Sequence, residues 1–341
     1  MIIRSRAPLR ISLGGGGTDV SPYPEIKGGA VLSTTIDRYA YVTIKENHED
    51  IIRIFSQDYN LIEIFEKISE IKNDGKLNLV KAGLNYLNVD ERGIDITIHV
   101  DSPPGSGLGS SSALTVSLIG AINELKEISM DSTQIARTAI EIERNKAGIK
   151  GGKQDQYAAA FGGFNFIEFK KDDVFVHPLQ LSKSIINEFF TSLILFDTRK
   201  TRLSANILDR QIKSYEERKS IVMESLDSLK DIAYEMKQCL LDGNIFDFGE
   251  LMNKNWKMKQ NLDDQITNNE IDSIYDAGIN AGAIGGKLLG AGGGGHMLFL
   301  CEIDKRQNVI NEVSKLGCNN VKFNLDNTGL QSWTADNGKV I

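Results

Sequence analysis

Residues 103–113 read PPGSGLGSSSA, an order of residue types suited to holding an anion against bare backbone amides. Glycines at 105, 107 and 109 let the backbone take positive φ and leave room for a ligand beside main-chain N–H groups. The stretch runs directly into ALTVSLIGAINEL, an apolar helix. The first amides of a helix have no intrahelical partner and carry partial positive charge, which makes them a phosphate site. Ser110, Ser111 and Ser112 add hydroxyls able to cap the helix, bond phosphate oxygens or reach a magnesium ion. A plain strand-to-helix turn with a serine N-cap needs far less. The spacing also excludes two familiar phosphate loops: no Gly-Lys-Ser/Thr follows, and the glycines run G-x-G-x-G rather than G-x-G-x-x-G.

Two further glycine clusters accompany this one, at Gly14–Gly17 and in GGKLLGAGGGG at 285–295. Together the three hold fourteen of the 32 glycines, too concentrated for ordinary turns. His296 follows the last cluster as a lone histidine and reads as structural, while His48, His99 and His177 show no metal-ligand spacing.

Strands and helices must position these clusters. Residues 38–45 (RYAYVTIK), 51–55 (IIRIF) and 94–100 (IDITIHV) carry the β-branched and aromatic residues of strands. Ile52 and Ile54, then Ile94, Ile96 and Ile98, alternate with polar neighbours, as in a sheet with one covered face. Residues 113–125 predict a core helix and 133–146 an amphipathic one. Beyond about residue 185, Ile221, Val222, Leu226, Leu229, Ile232, Ala233, Met236 and Leu240 form one helical stripe within 218–241. A helix over 244–258, strands at 285–289 and 297–301, a helix at 305–316 and a strand at 321–323 follow. The fold class is α+β, in two domains spanning 1–185 and 186–341.

Composition narrows the partners. The net charge is −7 and no long basic run occurs, so neither nucleic acid nor an anionic membrane is expected. Anions must be bound by local groups. Cys239, Cys301 and Cys318 make neither a disulfide framework nor a zinc pattern. No apolar run approaches membrane-spanning length, and a reduced, cytoplasmic chain is the expectation. A homodimer is left open.

The three clusters, in this order, resemble the signatures of the GHMP kinases (galactokinase, homoserine kinase, mevalonate kinase, phosphomevalonate kinase). APLRISLGGGGTD at 7–19 resembles the first motif, PPGSGLGSSSA the second, and KLLGAGGGGHMLF at 287–299 the third. Within the superfamily, the four-glycine first motif and GGKQDQYAAAFGGFNF at 151–166 look most like kinases that make D-glycero-D-manno-heptose 1,7-bisphosphate. Fucose kinases share much of that pattern.

The resemblance implies an active site between two domains, with ATP and Mg2+ as cofactors and a sugar phosphate as substrate. It places the phosphate chain on residues Gly105, Ser106, Gly107, Leu108, Gly109, Ser110, Ser111 and Ser112. Ser111 and Glu143 would hold the magnesium, with Glu141 as the second choice for the carboxylate. Asp155 would contact the reacting hydroxyl, a role compatible with that of an N-cap or first-turn acid of its helix, and Arg10 would face the same centre. Asp19 aligns with the aspartate that binds sugar hydroxyls in galactokinase-like members. Gly16 and Gly17 replace a Glu-His pair of galactokinases, which frees space and amides for a phosphorylated sugar. Lys153, Arg199, Lys200 and Arg202 are the basic residues available for a distal phosphate, the last three from FDTRKTRLSA, which reads equally as a solvated turn. The implied reaction is phosphorylation of the anomeric hydroxyl of a heptose 7-phosphate, for nucleotide-sugar and surface-polysaccharide synthesis. An unphosphorylated-sugar kinase and a non-catalytic sugar- and ATP-binding regulator are the rivals.

Overall fold

The computed structural model describes residues 1–89, 93–171, 173–200, 205–336 and 339–340. Strand β1 (Ile2–Gly14) pairs antiparallel with β2 (Gly29–Glu46). The first half of β2 also pairs with β6 (Phe164–Phe169), and its second half with β5 (Ile94–Val100). Next to β5 lie β3 (Ile52–Ser56), in parallel, and then β4 (Leu61–Phe65), while β7 (Val174–Pro178) borders β6. A second, antiparallel sheet has the order β11 (Asn319–Val321), β8 (Leu193–Asp197), β10 (His296–Cys301), β9 (Ala283–Leu288).

Helices α1 (Tyr23–Lys27), α2 (Asn78–Tyr86), α3 (Ser110–Leu125), α4 (Ser132–Glu141) and α5 (Gln154–Phe161) belong to the first half. The second half supplies α6 (Lys183–Ser192), α7 (Ala205–Glu216), α8 (Ser220–Asp242), α9 (Ile245–Gln260), α10 (Asn269–Asn280) and α11 (Ile303–Ser314). Helix α3 is buried nearly all round, as its apolar composition requires. Ile52, Ile54, Ile94, Ile96 and Ile98 are all buried, so the alternation did mark one covered face.

The domain division is less clean than the sequence suggests. A boundary at 185 falls inside α6, and the chain end returns: β12 (Gln331–Asp336) pairs with the free edge of β1, and β13 (Lys339–Val340) pairs with β12. One hydrophobic cluster joins the halves, packing Leu9 and Ile11 of β1 with Ile232, Met236 and Leu240 of α8 and with Leu298 and Leu300 of β10. Such a core-like seam fixes the relative position of the two sheets. Ile221 leaves the α8 stripe and is exposed, because the helix buries its line from Val222 to Leu240. The strand expected at 321–323 is displaced to 319–321, where it can pair with β8.

Packing of α9 on β9 leaves no room for a side chain at Gly285. An added Cβ would lie 1.9 Å from the carbonyl oxygen of Gly249. Gly285→Ala is expected to cost about 1–3 kcal/mol through overpacking, seen as a lower thermal midpoint; an unchanged midpoint would mean that α9 shifts freely.

Candidate active site

The glycines of 105–109 let two backbones touch. Gly107 and Gly290 both have positive φ, +79° and +82°, and a Cβ on Gly290 would stand 2.7 Å from Gly107 Cα. One on Gly295 would stand 2.6 Å from the Ser106 carbonyl oxygen. That carbonyl accepts a 2.8 Å hydrogen bond from His296 Nδ1–H, and burial lowers the histidine's pKa, so the ring is a neutral strut. The helix behind this loop is capped by Gly109 at φ +74°, with no side chain bonded to its first amides. The serines therefore do not serve as its cap, and the N-terminus is left facing a cavity of about 200 Å³.

Across that cavity stands a charge pair. Arg10, 5% exposed in the middle of the buried strand β1, directs Nε and Nη2 to Asp155 Oδ1, both at 2.8 Å. Its Nη1 donates to the Gly107 carbonyl at 2.6 Å and its backbone N–H to the Leu108 carbonyl at 3.0 Å, so one residue registers the loop against the aspartate. Asp155 occupies the first turn of α5, and its Oδ2 faces Gly109, where a Cβ would be 3.4 Å away. Asp155 is thus held by one oxygen and open at the other. Asp19 is more committed. Only 1% exposed, it accepts from Gly17 N–H, Gln154 N–H and Gln154 Nε2 at 3.0–3.1 Å.

A buried carboxylate lies beside the serines. Glu143 Oε2 accepts from Ser112 Oγ (3.1 Å), Gln156 Nε2 (2.9 Å) and Arg144 Nη1 (3.1 Å). Its Oε1 has no partner among the described residues. Burial raises the Glu143 pKa, opposed chiefly by the Arg144 guanidinium. A π-helical turn over Ile142–Lys146 extends α4 and carries Glu143 inward, whereas Glu141 turns out to Lys146 at 3.4 Å. Widened turns of this kind recur at functional sites.

The cavity is basic in an acidic protein. Arg10, Arg144, Lys150, Lys259 and Lys287 line it against Asp19, Glu143 and Asp155. Lys287, 4% exposed on β9, donates to the carbonyls of Ser12 (2.8 Å) and Leu13 (3.1 Å), and burial lowers its pKa to about 7. Lys259 on α9 reaches the Gly16 carbonyl at 3.3 Å, with its pKa lowered to about 8, again by burial. Among the described residues neither amine has a carboxylate within ion-pair distance. A second cavity of about 640 Å³, lined by Tyr59, Leu77, Leu79, Val80, Ile98 and Leu114 among others, shares Ser110, Ser111 and Ile149 with the first.

The chain matches the family models described as GHMP kinases N terminal domain, over residues 78–163, and GHMP kinases C terminal, over 236–317. It is 35% identical to a D-glycero-alpha-D-manno-heptose 7-phosphate kinase of Campylobacter jejuni across 97% of this chain and 98% of that protein. The chain belongs to the GHMP kinases. It is therefore an ATP-dependent phosphotransferase. Its fold superposes on the crystal structure of a D-glycero-D-manno-heptose 1-phosphate kinase from "Bacteriodes thetaiotaomicron", with a TM-score of 0.83, 32% identity and coverage of 98% and 99%. An L-fucokinase/L-fucose-1-P guanylyltransferase of Bacteroides fragilis is 27% identical over 88% of this chain and 35% of that longer protein.

In this GHMP kinase the fold gathers most of the residues singled out from sequence. Arg10, Gly16, Gly17, Asp19, Gly105, Gly107, Gly109, Ser110, Ser111, Ser112, Glu143 and Asp155 line one cavity. Others fall elsewhere. Ser106 and Leu108 hold the loop rather than line the cavity, with the Leu108 side chain in the core. The carboxylate oxygen that meets a serine meets Ser112, while Ser111 is exposed one position earlier on α3. Lys153 points away and pairs with Glu25 at 2.6 Å, Arg199 donates to Asn319 at 2.7 Å, and Lys200 pairs with Glu270 at 3.0 Å. Arg202 lies outside the described residues. Nor is the Gly17 amide free, since it donates to Asp19.

Sequence reasoning passed over Lys259, Lys287, Arg144, Gln154 and Gln156. Lys287 opens the third glycine motif, and Lys259 sits one turn after Trp256 on a buried stripe where an apolar residue would be expected. Those were the available signals. Burying a lysine with no carboxylate partner costs stability in the ligand-free kinase. With its folded pKa near 7 against 10.5 unfolded, Lys287 imposes that cost fully below pH 7 and sheds it as pH rises toward 10.5. Lys287→Met removes this pH-dependent cost but also leaves the Ser12 and Leu13 carbonyls without their donor. Wild type should therefore gain stability relative to Lys287→Met between pH 7 and pH 10, as compared by urea midpoints; a difference that does not change with pH would mean that the lysine titrates alike folded and unfolded.

Proposed function

We propose that this GHMP kinase phosphorylates the anomeric hydroxyl of D-glycero-D-manno-heptose 7-phosphate. The product would be the 1,7-bisphosphate, made in the cytoplasm toward nucleotide-activated heptose for surface polysaccharide. The transfer chemistry rests on Asp155, locked through Oδ1 by Arg10 and turned through Oδ2 toward Gly109 at the start of α3, and the choice of acceptor rests on the 35% identical heptose 7-phosphate kinase. An acceptor hydroxyl beside Oδ2 gives up its proton there as its oxygen takes the γ-phosphoryl group, and the bond to ADP breaks. Arg10 offsets the charge that moves onto the transferring group. The amides of Ser110–Ser112 and the loop at 105–109 hold the phosphate chain. The adjoining cavity, apolar over much of its lining and continuous through Ser110 and Ser111, suits the base of the nucleotide.

Magnesium fits the same wall. Glu143 presents an unpartnered, buried Oε1 next to Ser112, with Ser111 at the cavity edge. Among the described residues no three His, Cys, Asp or Glu side chains converge, which matches an ion held by one carboxylate and the nucleotide's own phosphates. When bound, Mg2+ would neutralise charge on those phosphates. Glu143, Ser111 and Ser112 would hold it.

A second reading, a kinase of an unphosphorylated sugar such as fucose, is favoured by one observation: Lys153 is already neutralised by Glu25. ADP release over heptose 7-phosphate, fucose, galactose and mevalonate separates the two. Turnover is expected on heptose 7-phosphate, and turnover on a neutral sugar alone would select the second reading. Asp155→Asn should lower kcat by about 10²–10⁴. Glu143→Gln should raise the Mg2+ concentration for half-maximal rate by at least about tenfold; an unmoved Mg2+ requirement would remove Glu143 from the metal site.

A further inference from the structure

We infer that Lys259 is the residue that recognises the phosphate already present on the acceptor, and so sets the preference for a phosphorylated sugar. This rests on the heptose 7-phosphate reading, and it relocates the distal-phosphate site from the basic residues named from sequence to helix α9. Lys259 is 7% exposed, yet it lines the catalytic cavity. The one hydrogen bond its ammonium makes among the described residues, to the Gly16 carbonyl, is long at 3.3 Å, which leaves its other N–H donors for a ligand.

The position is built from the first glycine motif. A Cβ at Gly17 would stand 3.2 Å from Lys259 Nζ and 3.3 Å from Leu262 Cδ1, so the ammonium occupies the room that the missing side chain leaves. One turn earlier on α9, Asn255 Oδ1 accepts from the Gly15 N–H at 3.1 Å and ties the helix to the same loop. Asp19, the nearest acidic group of that loop, already receives three N–H donors, and it does not form an ion pair with Lys259. A buried ammonium that faces a polar cavity, with the Asp19 charge acting on it from beyond ion-pair distance, is complementary to an incoming dianion.

Position decides which anion this is. The nucleotide's phosphates belong to the loop at 105–109 and the start of α3, with Arg10 and Asp155 at the transfer point. Lys287 is engaged by two carbonyls, and the positive charges of Lys259 and Arg10 both act on it. Lys259 instead lies over Gly16 and Gly17, in the loop that leads to Asp19, which the resemblance assigns to the acceptor's hydroxyls. A single ammonium also suits a terminal phosphate on a flexible sugar tail, which needs a point charge rather than a bidentate fork.

Steady-state kinetics of Lys259→Met and Lys259→Gln in the full-length enzyme test this, with D-glycero-D-manno-heptose 7-phosphate and unphosphorylated D-glycero-D-manno-heptose as acceptors. The expected result is a rise in KM for the heptose phosphate with a much smaller change in kcat. The ratio of kcat/KM between the two acceptors should fall by about 10–100-fold, the loss of one charged hydrogen bond. KM for ATP should stay within about twofold, and Lys259→Arg should restore part of the ratio. Equal losses on both acceptors, or a rise confined to KM for ATP, would overturn the assignment. The Gln variant keeps a donor for the Gly16 carbonyl, so it carries the test if the Met variant melts early. Wild-type enzyme that prefers the unphosphorylated heptose would refute the parent reading on its own, before any variant is compared.

Discussion

Contact between two glycine backbones, Gly107 from the first half and Gly290 from the second, is the constraint on which the active site depends. A Cβ on Gly107 would lie 2.5 Å from the Leu289 carbonyl oxygen, so no residue larger than glycine lets the loops approach in this way. The contact draws the third motif over the phosphate loop, and the His296–Ser106 hydrogen bond secures it. Arg10 then needs only its own strand and the Gly107 carbonyl to hold Asp155 in register. The hydrophobic seam between the halves lies behind the cleft and holds its walls in place.

Electrostatics runs against the rest of the molecule here. The protein carries −7 overall, yet its cavity is lined by more basic than acidic side chains, two of them buried lysines with lowered pKa. Such groups reduce the stability of the ligand-free fold and are relieved when an anion arrives. The same region holds Glu143 Oε1 and Gln154 Oε1, both buried and without a partner among the described residues.

Polar residues set into otherwise apolar elements connect fold to chemistry. Arg10 and Ser12 interrupt the buried run of β1, and Lys259 interrupts the buried face of α9. Helix α4 ends in a π-helical turn that separates two glutamates only two residues apart, turning Glu143 inward and leaving Glu141 at the surface. Each is a place where local packing gives way to the needs of the site.

Read by itself, the sequence determined the α+β class, the main strands and helices, and the glycine loop that runs into α3, because these follow from local periodicity and from glycines whose spacing admits few other uses. The resemblance to the GHMP kinases also pointed to Arg10, Asp19, Glu143 and Asp155, which the fold brings to one cavity with that loop. The return of β12 to β1 and the passage of α6 across the expected boundary were not legible, because strand pairing across 300 residues leaves no local pattern. Lys153 and Lys259 show the same limit in the site itself. Both are lysines near helix ends, and composition treats them alike. Only tertiary packing decides that Lys153 meets Glu25 at the surface while Lys259 is buried over a glycine, because a side chain's charge partner is set by what folds against it.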